Sequence, residues 1–321
     1  MSLLIYHIRV TVRATTSLLL DMQSGGALRG ALTNALWHQF CTNKTALTCA
    51  SCPLVAVCPV AALVAPLREE GQKGGDQHPR PYVIKPPLPL EQHVFQAGDL
   101  FQFGIGLFGQ AVSLFPYVVL AIPYLEEHGV GKKLPELGHR RGRFEVEMLD
   151  AVSPLTGATQ VLYQRGQAQS QMPILPLSAT DIDHYAQQLS PELVTLDLHT
   201  PVRLLSEKQL VHQISLRPLI QRLMRRLDDL SMRFGNGSLD LDWAWYVQQA
   251  AQVQVVNDQT HWLDVMSYSE RQGRHTPIGG LIGRVTFAGD LTALRSLLVW
   301  GSLIHVGKNA VKGDGWYSLV L

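Results

Sequence analysis

The sequence predicts an α+β protein made of two tandem ferredoxin-like (RRM-like) domains, with a cysteine-rich insertion in the first. Three observations carry that prediction. Each half of the chain runs strand, helix, strands, helix, strand, the order of a β-α-β-β-α-β unit. A polar connector with little periodicity, Gln167–Pro191, separates the halves. All four cysteines, Cys41, Cys49, Cys52 and Cys58, follow directly on the first helical pattern and occur nowhere else. The domains are therefore drawn as 1–175, with the cysteine segment at 41–58, and 176–321, with a glycine-rich loop at 301–315.

Taken in order, Leu3 to Val12 alternates apolar and polar residues in the manner of a strand. After Ser24-Gly25-Gly26 the stretch Ala27–Phe40 carries apolar residues near helical spacing. Arg68–Arg80 is polar and glycine-rich and predicts a surface loop, and Pro79–Pro89 holds five prolines and predicts extended chain. Asp99–Leu107 alternates again, Ala111–Glu127 predicts an apolar helix, and Gly129–Arg143 predicts a basic loop. Phe144–Val152 predicts a strand that pairs with Thr159–Arg165.

In the second half, Val194–Leu205 predicts a strand and Leu216–Phe234 an amphipathic helix. That helix has Leu216, Leu219, Ile220, Leu223, Leu227 and Leu230 on one side and a row of arginines on the other. Gln252–Tyr268 and Gly279–Phe287 predict strands, Ala293–Trp300 a short helix, and Trp316–Leu321 the closing strand.

With 321 residues, 46% hydrophobic and 17% charged, the chain can bury real cores and is not a disordered polymer. Its net charge of +1 excludes binding driven by overall basicity, so any anionic partner must be met by local clusters. The start predicts a strand, not a signal peptide. The apolar runs Pro53–Leu67 and Ala111–Leu125 are short for a membrane span and contain prolines. A cytoplasmic protein with no membrane partner is expected.

The cysteine spacing, C-x7-C-x2-C-x5-C, supplies four thiolates, a full tetrahedral set for a closed structural zinc. A four-cysteine iron–sulfur cluster is the chemical alternative, and a group of partly buried thiols without metal is the plain one. Three basic clusters remain: Lys132–Arg143, the Arg217–Arg233 helix, and Lys308 with Lys312. In the last, glycines let the backbone turn tightly, and the amides of Gly307, Gly313 and Gly315 with the two lysines predict a nest for phosphate. A glycine-rich hairpin that merely ends the fold has the same spacing.

Of twelve histidines, His38 at the end of the first helix and His305 beside the glycine loop are the candidates for proton transfer near neutral pH. Lys44 is placed to steady developing negative charge, and Tyr6 on the first strand to position substrate. There is no G-x-S-x-G elbow and no paired-carboxylate metal spacing.

The segment Gly307-Lys308-Asn309-Ala310-Val311-Lys312-Gly313-Asp314-Gly315 resembles the C-terminal glycine-rich motif of the RAMP superfamily of CRISPR proteins, with His305 in place of the motif's first glycine. Leu28-Arg29-Gly30-Ala31-Leu32, the cysteine segment, Arg80-Pro81-Tyr82, Thr200–Leu204, Arg225-Arg226-Leu227 and Gly279–Gly283 resemble its precursor-RNA-processing branch, in that order along nearly the whole chain. The resemblance implies metal-independent cleavage of a precursor CRISPR transcript within its repeats, leaving a 2′,3′-cyclic phosphate and a 5′-hydroxyl. It implies a catalytic histidine at the place of His38, and repeat RNA held by Arg29, Arg225, Arg226 and the glycine loop. Subunits of a CRISPR effector complex are implied partners, and a homodimer is allowed. Two other readings stay open: a non-catalytic RNA-binding subunit of such a complex, and a zinc-stabilised interaction module without RNA.

Overall fold

The computed structural model describes residues 3–65, 79–269 and 273–320, so most of the loop predicted at 68–80 lies outside the described residues. The chain forms two compact units: Tyr6–Pro87 with Glu91–Pro176, and Met1–Ile5 and Leu88–Leu90 with Leu177–Leu321.

The N-terminal unit is an antiparallel sheet of five strands. In spatial order they are Tyr82–Lys85, Leu100–Phe108, Ile5–Ala14, Phe144–Val152 and Thr159–Gln164. The first four have the ferredoxin-like arrangement, and the fifth pairs with Phe144–Val152 as expected. The alternation of the first strand decides its faces. Ile8, Val10 and Val12 are buried, while Arg9 and Arg13 sit between them and meet Asp150 at 3.1 Å and Glu147 at 2.8 Å on the neighbouring strand.

The first helix, Ser24–Phe40, buries Leu28, Leu32, Ala35 and Leu36, one stripe at helical spacing. That stripe ends at Leu36, so Trp37 and His38 emerge exposed on the last turn.

The predicted helix 111–127 is instead a 3-10 turn, Gly109–Leu114, followed by two short helices, Phe115–Leu120 and Ile122–His128. The reason is chemical: Pro116 and Pro123 lack an amide hydrogen, so each starts a helix and neither can continue one. The predicted basic loop 129–143 contains a small hairpin, Val130–Leu134 with Arg140–Gly142. Gly131, at φ 87°, allows it: a side chain there would run into the carbonyl of Leu19.

The C-terminal unit carries a four-stranded sheet in the order Gln254–Leu263, Gly280–Ala288, Leu193–Val202, Tyr317–Val320, again the ferredoxin-like arrangement. The arginine-rich helix spans Leu216–Phe234 and buries the six apolar residues read from its sequence. The last helix, Arg295–Ile304, lies against it and against Tyr317, whose hydroxyl donates to the carbonyl of Leu298 at 2.7 Å. Gly301 makes that approach feasible, since a Cβ there would meet the Tyr317 hydroxyl and stand 2.9 Å from Leu223.

Among the described residues three helices were absent from the sequence reading, the shortest being Pro59–Val64 within the apolar run 53–67. Ala179–Ala186 lies in the predicted connector and starts on a Ser178–Asp181 capping box, and Trp243–Gln252 starts on Asp242, which accepts from the Trp245 amide at 3.0 Å. Among the described residues no helix is long and apolar enough to cross a membrane.

Candidate active site and nucleic-acid interface

Exposure, aromatic stacking and a nearby cation come together at the end of the first helix. The His38 imidazole stacks on the Tyr124 ring, with centroids 5.0 Å apart and planes 17° from parallel. Tyr124 also stacks on His128, at 3.7 Å and 8°. Trp37 meets His38 edge-on at 4.8 Å. Lys44 reaches back to donate to the His38 carbonyl at 3.2 Å and lies 5.4 Å from the Trp37 ring centre, a cation–π distance. Its ammonium is thus held within the same exposed cluster as the imidazole it was expected to assist.

Tyr124 and His128 are one helical turn apart on Ile122–His128. Glu126 fixes that helix to the sheet: one of its carboxylate oxygens accepts from the Val146 amide at 2.7 Å and from Arg165 at 3.0 Å. On the outer side, His128 Nδ1 lies 3.1 Å from the Tyr124 carbonyl oxygen and 4.0 Å from Glu127. Burial and the Glu127 carboxylate push the Tyr124 phenol above its ordinary pKa, so it remains a neutral ring near pH 7. Sequence reading missed both residues. The available signal was the Tyr-x-x-x-His pair itself, but nothing in the sequence placed it against His38.

Tyr6 lies half-buried on the first strand, its phenol pKa raised by burial. Arg29 is half-buried on the first helix, and its Nε is out of solvent with no hydrogen-bond partner among the described residues.

The four cysteines are half-buried free thiols, and none forms a disulfide. Burial raises the pKa of Cys49, the charges of Cys58, Cys41 and Cys52 raise it further, and Arg80 opposes them. Two sulfurs already accept bonds, Cys52 from the Asn43 side chain at 3.6 Å and Cys58 from the Ala61 amide at 3.5 Å. Among the described residues no three or more metal-ligating side chains stand together at binding distance. The thiols are therefore near neighbours but not a closed coordination shell.

The C-terminal loop differs from its prediction. The expected nest of amides is an internally bonded turn. Gly313 N–H donates to Ala310 at 3.0 Å, Gly315 N–H to Pro201 at 3.0 Å, and Lys308 N–H to Arg203 at 3.0 Å. Thr200 ties the turn further, donating from its hydroxyl to the Gly313 carbonyl and accepting from the Trp316 amide, both at 2.8 Å. Glycine freedom is used here for backbone-on-backbone contact: a Cβ on Gly307, at φ 87°, would stand 2.6 Å from the Arg203 carbonyl oxygen.

His305, expected as a second acid or base, is buried at 0% exposure and lies parallel to Trp316 at 6.1 Å. It takes a glycine's position in the motif and a glycine's backbone, with φ 63°, as it ends the last helix. An imidazole enclosed in this way cannot exchange protons with a substrate at the surface.

Lys308 is exposed, whereas Lys312 is half-buried and donates to Ser267 at 3.3 Å. Arg225 is exposed and pairs with Asp229 at 3.4 Å, one turn along its helix. Arg226 is committed inward. Its Nε donates to the Ile304 carbonyl at 2.8 Å, at the end of the last helix, and burial lowers its pKa to about 10.

Two family models divide the chain. Residues 3–174 match AF_1859_N, an N-terminal domain, and residues 196–317 match the CRISPR-associated endoribonuclease Cas6. The fold is similar to that of Thermus thermophilus Cas6, with 11% identity, full coverage of both chains and a TM-score of 0.57. A Cas6 solved as its product complex is similar over 99% of each chain, at 10% identity and a TM-score of 0.56. The chain also matches part of a Cas6-RT-Cas1–Cas2 complex at 13% identity and a TM-score of 0.59, spanning 46% of that longer polypeptide. No curated protein is similar in sequence.

The loop also makes a prediction about stability. Asp314 is buried, and burial lifts its pKa to about 7 although Lys312, Asn309 and Arg203 pull it down. The folded state therefore binds this proton more tightly than the unfolded chain does. The resulting stability is fully present below about pH 4 and is lost as pH rises through about 7, a span on the order of 4 kcal/mol. Urea midpoints measured at pH 5 and pH 8 should differ less in Asp314→Asn than in the wild type. An identical pH dependence in the two proteins would remove Asp314 as its source.

Proposed function

We propose that this chain, whose residues 3–174 match AF_1859_N and whose residues 196–317 match the CRISPR-associated endoribonuclease Cas6, acts as a Cas6-type endoribonuclease and cuts precursor CRISPR RNA within its repeats by a metal-independent attack of a ribose 2′-hydroxyl. The observation that carries the reading is the exposed His38 on its aromatic stack, with the Lys44 ammonium beside it.

The nucleophile belongs to the substrate, so the protein has to move protons and offset charge. His38 serves as acid or base, and Lys44 faces the negative charge that grows on the phosphate. Tyr6 is the weaker candidate for holding the substrate. The 2′-oxygen bonds to phosphorus as the bond to the 5′-oxygen breaks, which leaves a 2′,3′-cyclic phosphate and a 5′-hydroxyl. Single-turnover cleavage of a repeat RNA in EDTA should fall roughly 10²–10⁴-fold in His38→Ala, with RNA affinity nearly unchanged. RNA bound by the wild type but never cut would instead identify a non-catalytic binding subunit.

Lys308, Lys312 and Arg225 contribute phosphate contacts, with Arg29 on the first helix. Lys308→Ala and Lys312→Ala should each weaken binding to all RNA sequences alike and reduce the salt slope by about one unit per lost contact. Unchanged affinity in both variants takes the loop out of the RNA path. CRISPR effector subunits are proposed partners, in the cytoplasm.

The donor chemistry of the cysteine segment fits a zinc ion. Cys41, Cys49, Cys52 and Cys58 would hold it, each as a thiolate, and four ligands leave no open position, so the ion would be structural. Protein purified without added zinc should contain about one equivalent, and a chelator should lower its melting temperature. Metal-free protein with the same melting temperature would leave the segment as plain thiols.

A further inference from the structure

Cleavage by a 2′-hydroxyl needs two proton transfers, one away from that hydroxyl and one onto the departing 5′-oxygen. With His305 enclosed, the sequence reading supplies one imidazole for two tasks. The structure supplies another. We propose that His128 is the second acid–base group of the reaction, paired with His38 through the Tyr124 ring that both imidazoles stack on. The proposal rests on the reading of His38 as a member of the reaction centre.

Spacing is the first argument. In an in-line displacement the entering and departing oxygens stand on opposite sides of phosphorus. A hydrogen bond of about 3 Å at each end asks for two nitrogens roughly 8–10 Å apart. The ring separations of 5.0 Å from His38 to Tyr124 and 3.7 Å from Tyr124 to His128 bring the imidazoles to within their sum, before any side-chain movement. Their planes are nearly parallel to the one phenol, so the stack presents ring edges, where the nitrogens are, to a backbone laid along it.

Chemical state is the second argument. His128 Nδ1 lies 3.1 Å from the Tyr124 carbonyl oxygen, which can only accept, so Nδ1 carries the hydrogen. The neutral ring then has its lone pair on Nε2, and the side chain is 51% exposed. Among the described residues the groups facing this imidazole are Tyr124 and Glu127 on its own helix, and His38 stacks on the same phenol. Tyr124 stays neutral and offers its hydroxyl as a donor, not as a competing base.

The protons balance within the pair. One imidazole takes the 2′-hydroxyl proton as the 2′-oxygen bonds to phosphorus. The other, protonated, gives its proton to the 5′-oxygen as that bond breaks. Exchange with water restores both.

The test is single-turnover cleavage of a repeat RNA by the wild type, His38→Ala, His128→Ala, His128→Asn and Tyr124→Phe. It is run on the ordinary substrate and on one carrying sulfur in place of the scissile 5′-oxygen. Thiolate leaves without a proton, so it rescues whichever variant lacks the acid and not the one lacking the base.

His128→Ala and His128→Asn should both lose roughly 10²–10⁴-fold with RNA affinity kept, and each histidine variant should lose one limb of the pH–rate profile. One of the two should regain its rate on the sulfur substrate. Tyr124→Phe, which keeps the stack, should remain within about tenfold of wild type. Wild-type cleavage by His128→Ala overturns the proposal. So does recovery in His128→Asn, which would show that only the bond to the Tyr124 carbonyl mattered, or failure of the sulfur substrate to rescue either histidine. Full activity in His38→Ala would instead sink the reading of His38, and with it the pair. RNA bound but not cut by the wild type would sink the cleavage reading itself.

Discussion

The end of the first helix is held by contacts between flat rings, and the active-site reading depends on them. A histidine on the last turn of an exposed helix would ordinarily sample several rotamers. Here His38 rests on Tyr124, Trp37 closes on its edge, and Lys44 binds the carbonyl of the same residue. Tyr124 in turn is steadied by His128, and their helix is pinned to the sheet through Glu126. Loss of rotamer freedom is settled at folding and not during reaction, which is the condition under which a proton-transfer group is effective.

The C-terminal unit is governed by a different constraint, the close approach of backbone to backbone. Gly307 and Gly315 let the terminal loop lie on the end of the strand Leu193–Val202, where Pro201 and Arg203 accept its amides. The same geometry explains His305. The turn requires a positive φ after the last helix, and a histidine meets that requirement at some local cost, with its ring placed inside against Trp316. The loop that looked in sequence like an open anion cradle is in this structure mainly a device for closing the fold. Exposed Lys308 is the part of it that faces solvent.

Periodicity was enough to find most of the fold. The Leu216–Phe234 helix was legible residue by residue because its apolar face is continuous and no proline falls inside its later turns. The pairing of Thr159–Gln164 with Phe144–Val152 followed from alternation and a short connection. What escaped has physical reasons. Pro116 and Pro123 turned one expected helix into two, and Asp242 and Ser178 began helices whose apolar stripes were too short to stand out. For the candidate site, His38 and Lys44 could be named from their positions alone, whereas the stacking of His38 on Tyr124 joins residues about half the N-terminal unit apart in sequence and leaves no local pattern. Fates of individual cations were equally hidden. Arg225 and Arg226 are adjacent in sequence, but one faces solvent and the other caps the last helix.

That sorting of cations bears on how a nearly neutral chain can hold a polyanion. Much of the positive charge is already engaged. Lys132 pairs with Asp21 at 2.9 Å, Arg284 with Asp197 at 3.0 Å, and Arg165 with Glu126 and Glu145 at 3.0 Å each, while Arg222 and Arg203 donate to backbone carbonyls. A net charge of +1 gives little long-range attraction at physiological salt, where exposed charges are screened within about 8 Å. The proposed capture of RNA would therefore rest on short-range contact with a few exposed cations such as Lys308 and on flat rings against which bases or riboses can lie. The Trp37–His38–Tyr124–His128 cluster places such rings beside Lys44. If the proposed cleavage takes place at this cluster, recognition and proton transfer draw on the same rings, and shape counts for more than charge density in the selection of RNA.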